Sequence, residues 1–138
     1  MSEASLAAQR WAVKQLRAHV PMAALVPDEN IFDRNRRPEV FPCIVIGEAQ
    51  VVGDDIDCAD LSTVALQIHA WTKENGMVAV KDIAGEVRRA LRRSAGLQDG
   101  FDLAFTFEDT LFLRDPSGEH SHAVVNFSVQ AEDTVGIY

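Results

Sequence analysis

The chain has 138 residues, is 47% hydrophobic and 25% charged, and its 13 basic against 21 acidic residues leave a net charge of −8. That length suits one domain with its own core, and the composition excludes a disordered chain, a collagen-like chain and a disulfide scaffold. No apolar run approaches the ~18 residues of a membrane-spanning helix, and the acidic balance argues against a general nucleic-acid binder, which needs a basic face to release counterions.

The start, Met1-Ser2-Glu3-Ala4, lacks the basic and apolar stretches of a secretory signal. The expectation is a soluble protein made for the cytosol or for something assembled there. In that setting Cys43 and Cys58 read as reduced thiols, the first opening an apolar strand and the second in an acidic loop.

Residues 4–20 read as a helix, with Leu6, Val13, Leu16 and Val20 on one face at helical spacing. Ser2 or Ser5 is placed to cap it, and Glu3 suits the positive end of the helix dipole. Trp11 lies off that stripe, beside Ala7, Lys14 and Ala18. It packs either under the following loop or in a subunit interface, where Trp is enriched. Four of the five prolines fall in the loop-rich stretch from Pro21 to Pro42, and Arg34, Arg36 and Arg37 form a basic tip within it.

Residues 43–52 read as a strand opened by the β-branched run Ile44-Val45-Ile46. Glu48 is out of place there and either pairs with a base at an interface or faces water. Asp54, Asp55, Asp57 and Asp60 crowd the acidic connection to a second strand over 61–72. In that strand Val64, Leu66, Ile68 and Ala70 alternate with Ala65, Gln67, His69 and Trp71. The two strands pair most simply as an antiparallel hairpin with a long loop.

Residues 77–94 carry the strongest helical pattern, a stripe of Met77, Val80, Ile83, Ala84, Val87 and Leu91. Asp82 and Glu86 early, with Arg88, Arg89, Arg92 and Arg93 late, suit the dipole as a solvated face. Gly96 reads as the C-terminal stop. Two more strands come after it: Leu103, Phe105 and Phe107 share a face in the first, which runs to Arg114, and Ala123, Val125, Phe127, Val129 and Ala131 share one in the second. Asp115-Pro116-Ser117-Gly118 is a turn with Pro and Gly where their backbones favour it. The pattern stops near residue 132, which leaves 1–132 as a single domain and 133–138 as a fraying tail. The expected fold is α+β: a mainly antiparallel four-stranded sheet with two helices on one face, in the order α-β-β-α-β-β.

Motifs for catalysis are missing: there is no phosphate loop, nucleophile elbow, His-Glu-x-x-His or Cys-x-x-Cys. His120 and His122, spaced to face one side of a strand, form the strongest metal candidate, with His69 on a neighbouring strand. Nothing supplies a convincing third ligand, and no metal or cofactor is expected. Glu108 and Asp109 are adjacent in a strand, point to opposite faces and cannot share a proton. No residue is assigned a catalytic role.

Four segments go further in wording and order. Phe41-Pro42-Cys43-Ile44-Val45-Ile46-Gly47-Glu48 resembles a recurrent Phe-Pro-x-Ile/Val-Val-Ile-Gly-Glu strand. Leu66-Gln67-Ile68-His69-Ala70-Trp71, the helix from Val80 to Leu91, and the turn Arg114-Asp115-Pro116-Ser117-Gly118 with His122 after it are similar to the later segments of the same family. Together, over residues 8–132, they resemble the tail terminator, or tail completion, proteins of long-tailed phages, prophages and gene transfer agents. The resemblance implies a structural protein without catalysis. It implies a homo-hexameric ring that caps the tail tube, ends its polymerisation and forms the interface to the head connector. The implied partners are other copies of the chain, the major tail tube protein and the connector or stopper, while DNA passes through without sequence-specific binding. The resemblance further implies assembly in the host cytoplasm and a final place at the head–tail junction.

A ring needs two different patches per subunit, and segregated acidic and basic loops suit that. Trp11, Arg34, Arg36, Arg37, Glu48, Asp54, Asp55, Asp57 and Asp60 are therefore the interface candidates. Cys43 stands where the family often has an aromatic residue, and the Asp54–Asp60 loop is unusually acidic. The alternative from another class is a small dimeric ligand-binding or regulatory module using the face of Gln67, His69 and Trp71. An enzyme built on His120 and His122 is a third reading.

Overall fold

In the computed structural model, residues 3–33, 40–53 and 60–134 are described. Helix α1 (Ala4–Ala18) is followed by the one-turn helix α2 (Val20–Ala23), a short 3-10 turn (Asp28–Asn30) and strand β1 (Ile31–Phe32). Strands β2 (Cys43–Gly53) and β3 (Leu61–Thr72) come next, then helix α3 (Val78–Leu91) and strands β4 (Ala95–Gln98), β5 (Phe101–Arg114) and β6 (Ser121–Asp133).

All six strands form one sheet in the order β1-β2-β3-β6-β5-β4. The pair β1/β2 is parallel, and the others are antiparallel. This corrects the expected four-stranded sheet with two helices: it is a mixed sheet of six strands with three α-helices. The two missed strands lie at its edges. At two residues, β1 is too short to show an alternation. In β4 the chain passes straight from the helix end into a strand, so Gly96 is a strand residue rather than the helix stop. The helix ends instead at Arg92, and Arg93 takes the left-handed conformation (φ 59°). Asp99 and Gly100, with φ of 52° and 84°, turn β4 back into β5 in the conformation favoured by a two-residue Asp-Gly hairpin loop.

The expected β2/β3 hairpin is present, with Ile46 opposite Ile68 and Val51 opposite Val64; the register slips between Ile46 and Ala49. Alternation decides which face is covered. Val64, Leu66, Ile68 and Ala70 of β3 and Ala123, Val125, Phe127, Val129 and Ala131 of β6 are buried with the helices in one core. From α3 that core takes Val80, Ile83, Ala84, Val87 and Leu91, as the stripe predicts. Helix α1 differs from its expected stripe: it buries Ala4, Ala7, Ala8, Ala12, Val13 and Leu16, while Val20 is 82% exposed. Small alanine side chains let the backbone approach the sheet, so the buried face is set by size as much as by hydropathy.

Capping also falls on other residues. Glu3 is the N-cap of α1, its carboxylate accepting from the N–H groups of Ser5 (2.8 Å) and Leu6 (3.3 Å). Burial alone raises the Glu3 carboxyl, but the bonds from the Ser5 hydroxyl and the two amides outweigh it and hold it below its ordinary range. For α3 the cap comes from outside the helix. The Glu74 carboxylate accepts from the N–H groups of Ala79 (3.3 Å) and Val80 (3.2 Å) and from the Thr72 hydroxyl (2.5 Å).

Lengths differ between the layers. The 14 residues of β5 span about 46 Å at strand rise, whereas the 14 residues of α3 span about 21 Å at helix rise. The sheet therefore projects beyond its helices. Residues 48–53 are exposed in unbroken succession, which no strand with a covered face shows.

Candidate functional surfaces

The interface candidates fall into different surroundings. Trp11 is half-buried inside the chain. Its indole N–H donates to the Ser94 hydroxyl (2.9 Å), and its ring presses on Gly96, where a Cβ would stand 2.3 Å from Cη2. The Lys14 ammonium lies 5.5 Å from the ring centroid. Glu48 is exposed at the register slip of β2. Asp60 is exposed at the entry to β3, and its carbonyl accepts from the Asp133 N–H (2.9 Å). Arg34, Arg36, Arg37, Asp54, Asp55 and Asp57 lie outside the described residues, as does Cys58. Cys43 is buried. Asp133 belongs to β6, and Thr134 donates its N–H to the Gly100 carbonyl (3.0 Å).

The three candidate metal histidines do not converge. His120 turns to Asp115, with Nδ1 3.0 Å from Oδ2, and its ring meets Phe41 at 4.6 Å between centroids. The hydrogen bond from His120, then those from Ser117, hold the Asp115 carboxyl below its ordinary range. His69 and His122 do meet: Nδ1 of the first lies 2.7 Å from Nε2 of the second. His122 also stacks on Trp71, with centroids 3.7 Å apart and planes 8° from parallel. Burial first, then the neighbouring His69, lowers His122 to about 4. Burial lowers His69 too, against an upward pull from the Glu48 charge. Among the described residues no group of three or more His, Cys, Asp or Glu converges on a common point.

The packing gives the four recognised segments a structural reason. Phe41 of the first segment contacts His120 beside the Arg-Asp-Pro turn. Arg114 of that turn donates to the Asn75 carbonyl (2.6 Å) just before α3, and buried Ser121 donates to the Gly76 carbonyl (2.6 Å). The Pro42 carbonyl accepts from the Asn30 side chain (3.0 Å). These contacts tie one end of β2, β5 and β6 to the start of α3.

The sheet face turned away from the helices is polar toward one end and apolar toward the other. Gln67, Asn126, Ser128, Glu48 and Glu108 line an open depression of about 540 Å³. Past it, Val45 and Val124 are buried while Leu111 and Leu113 are 55% and 40% exposed. Sequence reasoning placed Gln67, His69 and Trp71 on this face. It missed the stack with His122, although two alternating strands that pair bring such residues side by side.

The edges are only partly covered. Strand β1 pairs with Ile44 and Val45 alone, and β4 pairs with β5 only from Phe101 to Ala104. Among the described residues no strand lies along the remainder of either edge.

Comparison with known proteins puts this geometry in a family. The family described as tail completion protein gp17 matches residues 13–132. Among solved structures, a chain of the one titled "Virion of native gene transfer agent (GTA) particle" superposes with a TM-score of 0.84 at 19% identity, covering 96% of this chain and 99% of that one. Comparison with curated proteins gives no match. The family is one of structural virion tail proteins, not enzymes, as the four segments implied. With the match running through every strand from β1 to β6, the chain belongs to the tail completion protein gp17 family.

Proposed function

We infer that the protein caps the tail tube as a homo-hexameric ring, ends tube polymerisation and forms the interface to the head connector. The observation that carries this reading is the family match over residues 13–132. The full-length similarity of fold to a chain from a gene transfer agent virion agrees with it. On this reading the chain assembles in the host cytoplasm and ends at the head–tail junction, against the tube protein on one side and the connector on the other. The acidic segment Asp54–Asp60 and the basic segment Arg34–Arg37 supply complementary patches for head-to-tail contact. A net charge of −8 suits a lumen through which DNA slides, because phosphate finds no basic track. The test is electron microscopy of particles from a producer lacking this gene. Tubes of uncontrolled length, separate from filled heads, are expected; joined tails of uniform length overturn the reading.

A further inference from the structure

The open edges of the sheet carry an inference about how copies of this chain meet. Backbone groups alternate in direction along a strand, so each edge can be read for what it offers outward. The Phe105 N–H donates to the Ser94 carbonyl (2.8 Å), and its carbonyl accepts from the Arg93 N–H (3.2 Å). Phe105 therefore points its polar backbone away from β6. Glu108 is the extra residue where the β5/β6 register slips between Phe107 and Asp109, and it reverses the alternation. Beyond it Asp109 faces β6 opposite Asn126, and Thr110 and Phe112 turn their N–H and C=O groups outward. The same count carried across β6 and β3 leaves Ala49 and Val51 of β2 pointing outward, past the end of β1.

Each open stretch begins beside a register slip, and among the described residues no segment covers it. Natural sheets protect edges with charge, proline or a covering segment. Thr110-Leu111-Phe112-Leu113 and Ala49-Gln50-Val51-Val52-Gly53 contain no charged residue and no proline. Their apolar side chains are out in solvent, Val51 and Val52 at 43% and 52% and Leu111 and Leu113 at 55% and 40%.

The two stretches also fit one another. Strands β2 and β5 run in opposite directions within the sheet, since three antiparallel pairings separate them. A second copy rotated about an axis parallel to the strands keeps its strand directions, so its β2 lies antiparallel to the first copy's β5. The covering strands sit at opposite ends: β1 on Ile44–Val45, and β4 on Phe101–Ala104, where Ile44 is in the same row as Phe112. The open stretches thus lie at diagonal corners. Joining them slides each sheet along its neighbour, and a constant slide of this kind gives the strand tilt that a closed barrel requires. Donor edge and acceptor edge differ, so the contact is head-to-tail and generates a ring when the rotation closes.

We propose that the outer edge of β5 at Thr110–Leu113 pairs antiparallel with the outer edge of β2 at Ala49–Gly53 of a second copy, extending the sheet from subunit to subunit. The proposal rests on the ring reading above and names the contact that builds it. Backbone amide exchange tests it on the full chain, isolated and assembled. Four outward amides, those of Ala49, Val51, Thr110 and Phe112, exchange quickly in the monomer. In the assembly they slow by at least about tenfold, the behaviour of amides that gain a hydrogen-bonded partner. Thr110→Pro removes one outward N–H, which an edge strand tolerates; it keeps the monomer's circular dichroism and loses assembly. Assembly with these four amides still fast, or a folded Thr110→Pro chain that assembles as well as the parent, overturns the strand pairing and leaves the ring reading standing. A chain that never assembles, alone or on tube ends, overturns both. Should Thr110→Pro not fold, the exchange measurement on the parent chain decides.

Discussion

At position 96 a side chain has nowhere to go. The Trp11 ring occupies the space a Cβ would fill, 2.3 Å from Cη2, and the hydrogen bond to Ser94 keeps the ring from swinging clear. Gly96→Ala is expected to cost about 1–3 kcal/mol, the usual penalty of overpacking a filled site, measured by urea denaturation. The same change in a Trp11→Leu background costs less, because the obstacle is gone. His122 gives a second prediction at this scale. With His69 Nδ1 and His122 Nε2 2.7 Å apart, one ring donates and the other accepts, so a second proton has no place between them. The folded pKa of His122, about 4, lies below the ordinary 6.5. In the window between these values the unfolded chain binds a proton that the folded chain does not, so stability falls as the pH falls through it. The loss is on the order of 2 kcal/mol for a half-buried group. Glu48, pulling His69 upward, opposes the effect, and Arg114 and Asp115 line the same recess as His122. Denaturation curves from pH 7 to 4 check this, with His122→Gln expected to flatten the dependence.

Elements with a strong period were readable, and those decided by one or two residues were not. Alternation from Val64 to Ala70 placed β3 at 61–72 with its correct face, and the Val80–Leu91 stripe placed α3. Helix α1 was found and Val13 and Leu16 of its stripe are buried, but the alanines that complete the face were missed, since they weigh little in a hydrophobic pattern yet pack closest. Strand β1 has too few residues to be legible, and its place in the sheet comes from pairing with Ile44 and Val45. Strand β4 was legible and missed: Asp99-Gly100 between Leu97 and Phe101 is a two-residue hairpin signal. Gly96 drew the helix stop toward itself, whereas the left-handed residue is Arg93. A side chain at positive φ costs energy that glycine does not. Arg93→Gly is therefore expected to raise stability by a few tenths to about 1 kcal/mol, read as an increase in melting temperature.

For the whole molecule, the family was legible because four segments in order carry it, and the packing shows three of them tied to one end of the sheet. The candidate surfaces were legible only in part. Charge clusters are visible in a sequence, but which edge a fold leaves open depends on pairing between distant strands. The charge clusters give the prediction at this scale. Reversing Asp54, Asp55 and Asp57 to Lys is expected to weaken ring formation or docking while the monomer stays folded by circular dichroism. Assembly unchanged by these substitutions, followed by light scattering and native mass spectrometry, removes the acidic segment from the contact.

The mismatch between long strands and short helices separates two properties that most small domains must trade against each other. Past Val64, the ribbon of β2 and β3 touches little of the core. Residues added in pairs, one pair to each strand, preserve which face every side chain takes. Each such addition lengthens the ribbon by about 7 Å, while Ile46, Ile68 and the buried helices keep their neighbours. Reach can therefore drift in evolution without drawing on the free energy that holds the domain folded.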